Sequence, residues 1–134
     1  MFGFERLAVW HKAVEYAGTI YDVTRAFPEE ERFGLTSQLR RSSVLVSANI
    51  AEGSSRSSSV DFNRFIEIAY GSLLESVSEL RIAQRQKFVG DTPFETTYKQ
   101  AEELAKMLSG LRRTIKPSVK SKPLNPTLST LNLD

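Results

Sequence analysis

The sequence predicts an all-α protein, an antiparallel up-down-up-down four-helix bundle followed by a disordered C-terminal tail. Three observations carry this expectation. Apolar residues recur at three- and four-residue steps through most of residues 5–115. No two segments alternate as a strand pair would. From Lys116 onward the run KPSVKSKPLNPTLSTLNLD holds three prolines and no helical period.

The first helix is expected from about Glu5 to Phe27, on the stripe Leu7, Trp10, Val14, Ala17, Tyr21 and Thr24, with Pro28 stopping it. The acidic residues at 29–31 suit the approach to a second helix N-terminus. That helix follows Leu35, Leu39, Ser42, Val46, Asn49 and Gly53, with Ser43 and Ile50 beside the stripe. A third follows Phe62, Ile66, Ala69, Leu73, Val77 and Leu80, and Gly90 falls where its C-cap is expected. Thr92-Pro93-Phe94-Glu95 reads as a capping box, with threonine as N-cap, proline first and glutamate third. Tyr98, Ala101, Ala105 and Leu108 continue the fourth helix, flanked by Leu104, Leu111 and Ile115. Residues 1–115 are thus one bundle and 116–134 a low-order Pro/Lys/Ser-containing tail. Leu124, Leu128 and Leu131 of the tail are available to dock on a partner.

The corner NIAEGSSRSSSVDF, residues 49–62, holds one glycine and five serines but lacks the lysine of a phosphate-binding loop. It is read as a turn. Gly53 is expected in a left-handed conformation at the end of the second helix, and Ser58 caps the third with Asp61 three residues on. Asn49 and Glu52, polar groups near the core edge, are expected to hydrogen-bond across a helix or subunit contact.

Composition bounds the function. A chain of 134 residues, 40% hydrophobic and 25% charged, is an ordinary single globular domain. No apolar run is long enough to span a membrane, and charge interrupts MFGFERLAVWHK where a signal peptide needs an apolar stretch. A cytoplasmic location fits. The absence of cysteine excludes disulfides, a thiol nucleophile and a thiolate metal site. The net charge of +2 is uneven: Arg112, Arg113, Lys116, Lys120 and Lys122 against Asp134 give residues 110–134 a balance of +4, leaving −2 for the rest. That favours an anionic partner such as nucleic acid, with a solvated tail as the alternative.

Catalytic chemistry finds little support. His11 is the single histidine, no G-x-S-x-G elbow occurs, and no Glu-x-x-His pair is present for a di-metal bundle site. Glu67 and Glu75 lie eight residues apart. Glu75 and Glu79, four apart on one face, read as a solvated face or as interface salt-bridge partners. No catalytic, cofactor-binding or metal-binding residue is expected, and the protein is not expected to be an enzyme.

Two helices are apolar on more than one side. Residues 42–51, SSVLVSANIA, carry no charge, and Val44, Ala48 and Ala51 point away from the stripe through Leu39, Val46 and Ile50. Ile68, Gly71 and Ile82 repeat this on the third helix. Helices apolar on two sides are usually covered on two sides, so these six residues are a candidate homo-oligomer interface. The alternative is helical drift among small residues. Arg40, Arg41, Arg81, Arg85, Arg112 and Arg113 form a second candidate set. Arginine grips phosphate bidentately, so these would make backbone-directed, salt-sensitive RNA or DNA contacts. A protein partner also stays open.

The run FGLTSQLRRSSVLVSANIAEGSSR followed by DFNRFIEIAYGSLLESVSEL resembles a bacterial family of small four-helix bundle proteins, the 23S rRNA intervening-sequence proteins. The shared marks are Gly34, Leu35, Gln38, Leu39, Arg40 and Arg41; the NIAEG corner from Asn49 to Gly53; Phe62, Phe65, Ile68 and Ala69; and Gly71, Ser72 and Glu75. The opening FERLAVWHKAVEYA also fits, and the resemblance covers about residues 4–115. It implies a homo-oligomeric bundle, commonly a ring of five. Together with the residue reading above, the expected function is a non-enzymatic scaffold or interaction protein, linked through the resemblance to rRNA intervening sequences or mobile elements. The alternative is weak, backbone-directed RNA or DNA binding through the arginines and the basic C-terminus. More distantly similar are the accessory proteins of diversity-generating retroelements, basic pentameric barrels that work with a reverse transcriptase and bind nucleic acid.

Overall fold

A computed structural model describes residues 1–115. The expected tail, with Leu124, Leu128 and Leu131, lies outside the described residues. Four helices make up the described chain: α1 (Ala8–Thr24), α2 (Leu35–Ser54), α3 (Ser59–Arg85) and α4 (Asp91–Thr114). Short 3-10 turns at Gly3–Arg6 and Glu29–Glu31 precede α1 and α2, and there is no strand among the described residues.

Cross-helix pairs set the directions. Phe27 after α1 meets Phe88 after α3, with ring centroids 5.8 Å apart. The Arg40 Nε–H of α2 donates to Thr24 Oγ1 at the end of α1 (2.8 Å). Near the start of α3, the Asn63 amide donates to the Ile115 carbonyl just past α4 (2.6 Å). The bundle therefore runs up, down, up, down. Its centre is filled by Ala13, Tyr16 and Ile20 of α1, Leu39, Val46 and Ile50 of α2, Ile66, Leu73 and Leu80 of α3, and Phe94, Leu104 and Leu108 of α4. Each large apolar side chain removed from water there contributes about 1.5–3 kcal/mol.

The helix ends differ from expectation in four places. The first helix is interrupted at Leu7, whose φ of −85° and ψ of 121° are extended. The Glu5 carboxylate accepts the Phe2 N–H (2.8 Å), and Phe4 packs on the Trp10 ring, holding residues 3–6 as a separate turn. The phase of α1 shifts accordingly. Val9, Ala13, Tyr16 and Ile20 line the core, while Val14 and Tyr21 of the expected stripe are exposed.

Gly90 does not cap α3. Lys87 takes the left-handed conformation (φ 64°), the Phe88 N–H donates to the Ala83 carbonyl (2.9 Å), and the Lys87 N–H donates to Gln84 (3.0 Å). This pair of bonds is a Schellman closure with lysine where glycine is usual.

Gly90 instead caps α4, so the expected capping box at Thr92 is not formed. The first helical bond runs from the Phe94 N–H to the Gly90 carbonyl (3.0 Å), which puts Pro93 third rather than first. Proline is tolerated there because no N–H of the first turn has an intrahelical acceptor.

Gly53, finally, is not left-handed: no glycine has positive φ, and Gly53 lies within α2. A Cβ on it would sit 2.6 Å from Phe65 Cβ and 3.2 Å from Phe62 Cδ1. Glycine is needed here for the close approach of two helices, not for the turn.

Candidate interaction surface

The α2–α3 seam carries the polar chemistry of the molecule. At its open end the corner bonds locally. Ser58 Oγ accepts the Asp61 N–H (3.1 Å), as the cap expectation requires. The Asn49 amide donates to the Leu45 carbonyl one turn back (2.8 Å). Glu52 pairs with Arg56 (2.9 Å), whose guanidinium lies over the Phe65 ring. Neither Asn49 nor Glu52 makes the expected cross-helix bond within the chain. Both satisfy themselves within one turn, the cheaper solution for a side chain at a helix end.

Midway along the seam a buried polar cluster joins three helices. Ser42 Oγ donates to Glu79 Oε1 (2.8 Å), and Glu79 is only 8% exposed. Tyr16 OH bonds Ser76 Oγ (2.7 Å), while Ser76 donates its own proton to the Leu73 carbonyl (2.7 Å). Burial pushes the Tyr16 phenol up to about 12, against the Ser76 bond, with the nearby Glu79 charge adding to the rise. Burial also raises the Glu79 carboxyl above its ordinary value, opposed by the Ser42 bond and reinforced by Glu75. No cation pairs with either Glu75 or Glu79 within the described residues.

The outer side of this seam is apolar and uncovered. Val44, Ile68 and Ile82 are 41%, 46% and 49% exposed. Ala48 and Gly71 are exposed with them, and Ala51 is half-buried. The sequence reading missed Leu74, 52% exposed on the same side of α3 as Gly71, and Phe33, 85% exposed before α2. Leu74 was legible as an apolar residue three after Gly71, whereas nothing local to the sequence marks Phe33. Along the α1 edge, Tyr21, Phe33, Arg40, Arg41, Val44 and Leu45 line a shallow groove.

The six candidate arginines do not form one patch. Arg40 is held by Thr24 and lies 4.6 Å over the Tyr21 ring. Arg81 bonds Gln84 and lies over Phe94 and Tyr98 of α4. Arg112 pairs with Glu67, at the opposite end of the bundle, with Arg113 exposed beside it. Arg41 and Arg85 are exposed and make no hydrogen bond or ion pair among the described residues.

His11 is accounted for locally: its Nε2 lies 2.6 Å from the Glu5 carbonyl oxygen, against the Trp10 ring. Among the described residues no three His, Cys, Asp or Glu side chains converge as metal ligands, and no helix is long and apolar enough to cross a membrane.

Comparison with known proteins places this geometry. A crystal structure of a protein of unknown function from the S23 ribosomal protein family of Bacteroides thetaiotaomicron superposes with a TM-score of 0.72 at 25% identity. The match covers 80% of this chain and 100% of that one. No curated protein matches the sequence. Residues 5–110, nearly the whole bundle, match the family model for the 23S rRNA-intervening sequence protein, and the chain belongs to that family.

Proposed function

We propose that the protein is a non-enzymatic homo-oligomeric scaffold or interaction module whose copies meet through the outer face of α2 and α3. The observation that carries this reading is the exposure of Val44, Ile68 and Ile82 on the outer side of two adjacent helices. Apolar patches of this kind on a small domain mark interaction sites, and association with like copies is the commonest way to cover them. Five copies is the number that the family resemblance supplies.

The test is mass in solution. Light scattering at micromolar concentration should give a multiple of 15.1 kDa, near five-fold. Ile68→Gln with Ile82→Gln should reduce it to a single chain while leaving the helical circular dichroism intact. A wild-type protein that runs as a clean monomer ends this reading.

The second reading is backbone-directed RNA or DNA binding, in keeping with the link of the family to rRNA intervening sequences. The exposed, unpaired Arg41 and Arg85 favour it. Copurifying nucleic acid would show as excess absorbance at 260 nm, and its affinity would fall steeply with salt. Absence of binding at low salt removes it.

A further inference from the structure

The outer face of α2 and α3 is apolar, yet it carries two charges that the chain itself leaves unmatched. Arg41 stands at the head of the stripe Val44, Leu45 and Ala48, three, four and seven residues on. Glu75 stands within the stripe Ile68, Gly71 and Ile82, seven before, four before and seven after. Of the other charges bordering this face, Glu52 is paired with Arg56 and Glu67 with Arg112, while Arg85, three residues past Ile82, is unpaired and stands at the last residue of α3.

These two charges do not meet within one chain. Ser42 bonds Glu79, so Arg41 lies level with the end of α3 that follows Glu79, while Glu75 lies a turn toward the corner. Glu75 and the nearly buried Glu79 thus form an acidic pair: Glu79 accepts from the neutral hydroxyl of Ser42 and shares a hydrogen bond with Glu75, and neither carboxyl meets a cation among the described residues. A buried carboxylate without a cation is costly, and it is most effectively relieved by a guanidinium, which can span two adjacent carboxylates. The apolar surroundings exclude water and strengthen such a pair.

Resting on the assembly reading above, we propose that the occupant of this face is a second copy of the chain, docked so that Arg41 of one copy pairs with Glu75 and Glu79 of the next. The apolar residues supply area, and the charge pair sets register and orientation. The pairing is complementary rather than repulsive: a patch that offers both the free cation and the acid needing one fits another copy of itself.

Charge reversal tests this. Arg41→Glu and Glu75→Arg are both surface changes, and circular dichroism should show the fold unchanged in each. Each alone should raise the dissociation constant of the assembly at least about ten-fold, bringing the mass at micromolar concentration down to 15.1 kDa. Arg41→Glu combined with Glu75→Arg should restore the multimer. Arg85→Glu, one turn beyond the arginine that leans on α4, should leave assembly intact. A monomeric wild type overturns the assembly reading itself. A multimeric wild type that survives single reversal, or that the double reversal fails to restore, overturns the charge pairing and leaves the assembly reading standing.

Discussion

The outer sides of α4 and of the α2–α3 pair are finished in opposite ways. On α4 the solvent side presents Thr96, Lys99, Glu102, Glu103 and Lys106, and Glu103 reaches Lys12 of α1 (3.4 Å). On α2 and α3 the solvent side presents valine, alanine, isoleucine and leucine, together with Arg41, Glu75 and Arg85, which meet no opposite charge among the described residues. The inner sides are alike, with Leu104 and Leu108 as deeply buried as Leu39 and Leu73. Core formation therefore demands the same of each helix, and the outer composition reports what else each must meet. A charged, hydrated face is complete in one chain. An apolar face with unmatched charge is incomplete until something covers it.

Five further substitutions sharpen or break this contrast. The largest effect is expected at the α2–α3 seam. Gly53→Ala puts a Cβ 2.6 Å from Phe65 Cβ, and overpacking of backbone-anchored atoms should cost about 2 kcal/mol in chemical denaturation. Unchanged stability would mean that the seam is loose and the contrast is one of composition alone.

The second concerns Glu79, which faces Ser42 of α2, Tyr16 of α1 and Glu75 of its own helix. Its carboxyl is raised in the folded chain, so the folded state holds a proton that the unfolded state has released. The resulting stabilisation is fully present below the ordinary carboxylate range and is lost as pH rises through the raised value. In the monomeric Ile68→Gln/Ile82→Gln protein, stability should fall with pH across that window, by at most about 1.4 kcal/mol per pH unit for one proton. Glu79→Gln, which keeps an acceptor for Ser42, should flatten the curve. An unchanged slope would show that Glu79 is not the uncompensated group.

Lys87→Gly comes next. It should stabilise by about 1 kcal/mol, read in thermal or chemical unfolding, because an L side chain is strained at φ 64°. The smallest effects belong to α4. Lys12→Ala, which removes the exposed pair with Glu103, should change stability by less than about 0.5 kcal/mol. Lys106→Glu should leave the assembled mass untouched, whereas Arg41→Glu should not.

The fold was legible because helical periodicity and burial report the same fact: Leu39, Val46, Leu73, Leu80, Ala101 and Leu108 were placed inside by spacing and are inside. Helix ends were less legible. Gly90 and Thr92 carry the right residue types for caps, yet a two-residue shift in where α4 begins reassigns both, and local sequence holds too little free energy to settle it. The back-face residues Val44, Ile68 and Ile82 were legible for the opposite reason, since an apolar residue off the core stripe needs no partner to be noticed.

By itself, the sequence determined the number and order of helices, the apolar stripes and the surplus of apolar residues on α2 and α3, all properties of composition and spacing along one chain. Only the tertiary structure decided why Gly53 is a glycine, that Asn49 bonds its own helix, and that Glu79 is buried against Ser42 with no cation. Those depend on how closely two helices approach and in what register. Pairwise distance across a seam between helices is not encoded in the period of either one.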